Sequence, residues 1–147
     1  MRRLKGMAGS AGILLGSVLS VHGAPGSVTV YSNVCYNSEF GDVLGTRIIL
    51  LDLGPKDKQI LYSEAQGGEG IPIVHLLTPD DEKSLKQGRL DFQLDDGGRS
   101  FTVHGTISKT AIVLSSGGSS ANLDAEGRQK WPIRLKRIAL PERWPAC

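Results

Sequence analysis

Along this chain apolar and polar residues alternate mainly with a period of two, the spacing of strands that bury one face. The clearest run is Arg89-Leu90-Asp91-Phe92-Gln93-Leu94, with Leu90, Phe92 and Leu94 on one face and Arg89, Asp91 and Gln93 on the other. Asp95-Asp96-Gly97-Gly98 follows it, a strong hairpin-turn signal. The next run mirrors the first: Phe101, Val103, Gly105 and Ile107 alternate with Ser100, Thr102, His104 and Thr106. Further strands are predicted over 28–34, 43–53, 59–64, 71–77, 109–115 and 133–138, which makes eight in all. One short helix is predicted. Thr78 is its N-cap, Pro79 its first residue and Asp80-Asp81-Glu82 its acidic first turn, and Gly88 ends it. The stretch 115–130 is rich in Ser and Gly, has no apolar period and reads as a long mobile loop.

Eight short strands joined largely by tight turns predict an all-β fold. A small antiparallel β-barrel, lipocalin-like in strand count, is preferred because closure removes sheet edges; a β-sandwich is the alternative. Nineteen glycines and seven prolines fit such a turn-rich chain.

The N-terminus has a different pattern. Arg2, Arg3 and Lys5 precede an apolar stretch over 7–21, which ends in Val21-His22-Gly23-Ala24. Basic, apolar, small is the order of a secretory signal peptide, predicted here over 1–23, with 24–147 as one domain. The stretch is too short and too rich in Gly and Ser for a comfortable permanent membrane span. Cleavage would leave 124 of the 147 residues and take the net charge from +2 to −1, since it removes three cations and no acid. A nearly neutral domain is a poor partner for nucleic acid. The expected location is the periplasm or the exterior.

Cys35 and Cys147 are the two cysteines. Export favours a disulfide between them, and such a bridge would hold a chain end that otherwise frays. Their spacing suggests neither a redox motif nor a zinc site.

No familiar catalytic motif is present, and no metal site or cofactor is expected. His104 lies among Ser and Thr and reads as a surface residue. His75 shares a face with Ile71, Ile73 and Leu77, so it is either a hydrogen-bonded core histidine or a binding group. The segment Cys35-Tyr36-Asn37-Ser38-Glu39-Phe40-Gly41 joins the first two predicted strands. Tyr36, Glu39 and Phe40 are binding candidates there, since aromatics in a turn-forming segment either form a binding surface or plug the barrel end. Residues 47–53 are apolar on both faces, which calls for a cover: the helix, the C-terminal tail or another subunit. The region 128–143 concentrates Arg128, Lys130, Arg134, Lys136, Arg137 and Arg143 against Glu126 and Glu142. It is either a solvated strand face or a surface for an acidic partner or an anionic envelope.

In size, export and strand count the inferred architecture resembles small exported barrels such as lipocalin-like proteins and barrel-type inhibitors of lysozyme or proteases. Several of those have a disulfide near the C-terminus. The lipocalin Gly-x-Trp signature is absent; Gly26-Ser27-Val28 stands in its place. The expected function is non-catalytic binding of a protein, as an inhibitor does, or of a small apolar molecule inside the barrel. Phe92, Phe101, Leu90, Leu94 and Val103 are large enough to fill a small barrel, which favours a surface site. The alternatives are a small secreted hydrolase using His75 as base, and a structural or accessory envelope protein acting through residues 47–53.

Overall fold

A computed structural model of the chain describes residues 26–68, 70–98, 100–117, 130–140 and 143–147. The predicted signal segment 1–23 and most of the predicted loop 115–130 lie outside the described residues. Among the described residues nine strands and one helix follow in the order β1 (Ser27–Ser32), β2 (Cys35–Asn37), β3 (Asp42–Gly54), β4 (Asp57–Gln66), β5 (Ile73–Leu76), α1 (Pro79–Lys86), β6 (Arg89–Asp95), β7 (Ser100–Ile107), β8 (Ala111–Ser116) and β9 (Ile133–Ile138).

The strands form one antiparallel sheet in the order β5-β4-β3-β1-β9-β8-β7-β6, with β2 added beside β3. It curls into a nearly closed eight-stranded barrel rather than a sandwich of two sheets. The remaining gap is a seam between β5 and β6, bridged by a stacked ring pair, His75 on Phe92, with centroids 5.5 Å apart. Sequence alternation decides which face points in. In β6, Leu90, Phe92 and Leu94 are buried and the residues between them exposed. Tyr31, Ile48, Tyr62 and Ile73 lie side by side across β1, β3, β4 and β5 and belong to the same core, with Leu114 and Leu135 from the other half. Burial pushes the Tyr62 phenol well above its usual range, and Glu64, which accepts its hydrogen bond, adds to the shift.

Helix α1 forms as its sequence predicts. The Thr78 side chain accepts from the Asp81 amide and the Asp81 carboxylate accepts from the Thr78 amide, which satisfies two helix-end donors reciprocally. Leu77 and Leu85 pack against the core. Lys58 Nζ pairs with Glu82 Oε2 at 2.6 Å, tying the helix to the start of β4.

Two elements differ from the sequence reading. The predicted strand 71–77 shortens to Ile73–Leu76. Segment 35–41 contains a short strand, β2, before its turn. The pairing of three residues with β3 is set by tertiary contacts that carry no periodic signal. Of the covers expected for residues 47–53, helix α1 lies closest: Glu82, Leu85 and Lys86 line one groove with Leu50, Leu51 and Asp52. Helix α1 packs against the core through Leu85, while Pro145 and Cys147 of the tail bond to Tyr36 of β2. On the outer surface, Ile138, Val30, Ile49, Leu61 and Val74 form one cross-strand row. Val30 is only 3% exposed whereas Val74, two strands beyond Ile49, is 56% exposed.

Candidate functional site

Between β1 and β2 the chain steps over β3. Gly45 lies beneath the step, so close that a Cβ there would sit 2.8 Å from Val34 Cα and 2.9 Å from the Asn33 carbonyl oxygen. Its φ of +127° is a conformation that glycine tolerates and other residues avoid. The Asn33 side chain fixes the step. The Thr46 amide donates to Asn33 Oδ1 at 2.7 Å, and the Asn33 amide donates to the Thr46 carbonyl at 3.1 Å.

Past this step, β2 and the first residues of β3 form a hairpin extending from the barrel end. Cys35 faces Leu44, Tyr36 faces Val43 and Asn37 faces Asp42. The Asn37 side chain accepts from the Glu39 amide at 3.0 Å, and the Gly41 amide donates to the Asn37 carbonyl at 2.9 Å. Gly41, at φ +73°, completes the turn. On this tip Phe40 is 70% exposed and Tyr36 42%. Glu39 is exposed beside them. The aromatics therefore do not plug the barrel.

The C-terminal tail holds the hairpin from its other side. The sulfurs of Cys35 and Cys147 are at bonding distance, with Cα atoms 5.0 Å apart. The Tyr36 amide donates to the Pro145 carbonyl at 2.8 Å, and the Cys147 amide donates to the Tyr36 carbonyl at 3.0 Å. This brings Trp144, 37% exposed, to the neighbourhood of Tyr36. Sequence reading placed Trp144 in the tail but not at this end of the barrel, because only the disulfide specifies the return path.

His75 lies elsewhere. It faces Ile60, which faces Leu50, whereas Tyr36 faces Val43. Seven residues of β3 separate the two levels, roughly 20 Å along an extended strand. His75 Nε2 is 3.0 Å from Asp81 Oδ2. That oxygen also accepts from the Thr78 amide at 2.8 Å and from the Thr78 hydroxyl at 2.7 Å. The hydroxyl is bonded to the carboxylate and not to the imidazole, which is the geometry of a helix cap and not of a base activating a nucleophile. His75 thus joins β5, α1 and β6 across the seam. His104 is exposed, as expected, with Nδ1 3.2 Å from Asp91 Oδ1 on the neighbouring strand. Among the described residues no group of three or more His, Cys, Asp or Glu side chains could hold a metal ion.

Burial raises the Asp81 carboxyl, but the hydrogen bonds from Thr78 and His75 outweigh it and hold the group below its usual range. A carboxyl lowered in the folded state stabilises fully above its unfolded value, about 3.9, and loses that contribution as pH falls through the folded value. Asp81→Asn is therefore expected to be less stable than the parent at pH 7, with the gap narrowing below about pH 4. Urea unfolding across that range checks it; a gap independent of pH would mean that the charge plays no part in the cap.

Comparison with known proteins finds no matching family model, no matching curated protein and no matching solved structure. The functional reading rests on the geometry of this chain alone.

Proposed function

We propose that this chain is an exported, non-catalytic binding protein that grips a protein partner through its aromatic hairpin, in the manner of an inhibitor. The observation that carries this reading is Phe40, 70% exposed on a hairpin tied down by a cysteine pair and two backbone hydrogen bonds. A large apolar side chain in water on a rigid support loses little conformational entropy when a partner covers it. The filled interior favours an outside site over a cargo cavity: Tyr62, Ile48, Ile60, Leu90, Leu94 and Ile112 are fully buried within it. Export is supported by the basic, apolar, small order of residues 1–23 and by the paired cysteines. Among the described residues no helix is long and apolar enough to cross a membrane.

The test places a photoreactive amino acid at position 40, and at the exposed position 102 of β7 as control, in protein secreted by its own cells. A partner captured from 40 and not from 102 is expected. Phe40→Ala should weaken its binding roughly 30-fold or more, the size of an interface hot spot, while stability stays within about 0.5 kcal/mol. A Tyr36→Ala/Phe40→Ala double variant that binds the captured protein as tightly as the parent would end this reading.

A further inference from the structure

The tail forms a second feature on its way back to Cys35. Strand β9 ends at Ile138 opposite Val30, and Pro145 and Cys147 lie beside β2 at the cysteine pair. Between Pro145 and the barrel wall lies a groove of about 360 Å³, lined, among the described residues, by 32–34 of the step, outward positions of β9, and Ala139, Arg143 and Pro145. That volume suits a small ligand.

Three cations line the groove: Arg134 and Lys136 from β9 and Arg143 from the tail, and no acidic side chain is among its described lining residues. Arg134 and Lys136 are two residues apart in one strand, so they share a face, and like charges held so close repel. Asn33 adds to the same character. Its side-chain oxygen is engaged by the Thr46 amide, and its NH₂ group can donate to an anion. Val34, Ile138 and Pro145 supply apolar wall.

We propose that this groove is a binding site for a phosphate- or sulfate-bearing group carried on a small, partly apolar scaffold. Two guanidinium forks and an ammonium match a multiply charged oxyanion, and the apolar wall would take the scaffold beside it. The site is distinct from the hairpin tip and does not depend on the role given to Phe40. It uses part of the basic run seen in the sequence; the fold selects Arg134, Lys136 and Arg143 from that run.

The test titrates the oxidised protein with inorganic pyrophosphate and with a hexose phosphate, followed by amide NMR shifts. Sedimentation with vesicles containing phosphatidylglycerol is run in parallel. Saturable one-to-one binding is expected, with shifts confined to residues 32–34, 134–138 and 143. Arg134→Gln and Arg143→Gln should each weaken it roughly tenfold or more, and Lys56→Gln and Lys83→Gln, far from the groove, should leave it unchanged. Arg143 belongs to no strand ladder, so its variant separates lost binding from lost folding. Arginine-dependent binding of the soluble phosphates identifies a free ligand; arginine-dependent binding of vesicles alone identifies a lipid headgroup. No saturable binding of any probe, or equal weakening by the lysine controls, overturns the proposal.

Discussion

Replacing Cys35 and Cys147 together by serine is expected to destabilise the fold by about 4–5 kcal/mol, the chain-entropy value for closing a loop of this size. The two residues are 112 positions apart, so the bridge constrains most of the domain in the unfolded state. Small domains keep only about 5–15 kcal/mol in total, so this is about a quarter or more of the whole. The melting temperature should fall by roughly 10–20 °C. The loss has a local consequence too. Without the bridge the tail is held to β2 by the hydrogen bonds of Tyr36 with Pro145 and Cys147, at an exposed chain end. Amide exchange at Tyr36 and Cys147 should therefore accelerate well beyond that of the β6–β7 ladder. Paired denaturant unfolding of the oxidised parent and the double variant measures the first effect. A loss below about 1 kcal/mol would place the stabilisation elsewhere and contradict the chain-entropy account.

The second large effect is expected at Gly45. Alanine there meets two penalties at once. Its backbone must hold φ near +127°, a region worth about 1–3 kcal/mol of strain for a residue with a side chain. Its Cβ must also enter a space 2.8 Å from Val34 Cα and 2.9 Å from the Asn33 oxygen. Both obstacles are backbone, so relief requires the whole step between β1 and β2 to lift from β3, which breaks the Asn33–Thr46 bonds. We expect Gly45→Ala to cost about 3 kcal/mol or more, the sum of backbone strain and overpacking. Gly97→Ala is the control: its φ is +60°, but among the described residues nothing lies within 4 Å of its Cβ position, so about 1 kcal/mol is expected. If urea unfolding gives the two variants equal losses, the step is not the rigid crossing described above.

Much of the barrel was legible in the sequence because strand alternation is a local signal. Leu90, Phe92 and Leu94 announce their face without help from the rest of the chain, and Thr78 to Glu82 announce a helix start. The cysteine pairing was legible for a different reason, since two cysteines leave one intramolecular choice. What escaped the reading depends on contacts between distant segments. β2 exists because β3 and the tail pair with it, and three residues are too few for a period. The place of residues 145–147 beside β2 is set by where Cys147 must arrive. His75 illustrates the same limit in the candidate site. Its strand face was readable, but its carboxylate partner comes from α1 and its stacking partner from β6, so a structural clasp and a binding histidine looked alike. The basic run was visible as composition, while the convergence of Arg134, Lys136 and Arg143 on one groove was not.

The strand order also fixes when the barrel can be finished. β1, β3, β4 and β5 follow one another along one half of the sheet, and β6 to β9 along the other. The halves are joined by the ladder that pairs Val30 with Ile138, the first strand with the last. Until the final strand is available, the first presents a bare edge bordered by Val28 and Val30, open to any other extended chain. A chain released from one end to the other therefore spends nearly its whole passage as an incomplete sheet. It is protected only when residues 136–147 arrive, bringing both the missing ladder and the closing cysteine. Truncation just before residue 133 is for this reason a more hazardous lesion than its short length suggests, leaving a nearly complete chain that lacks the one strand covering that edge.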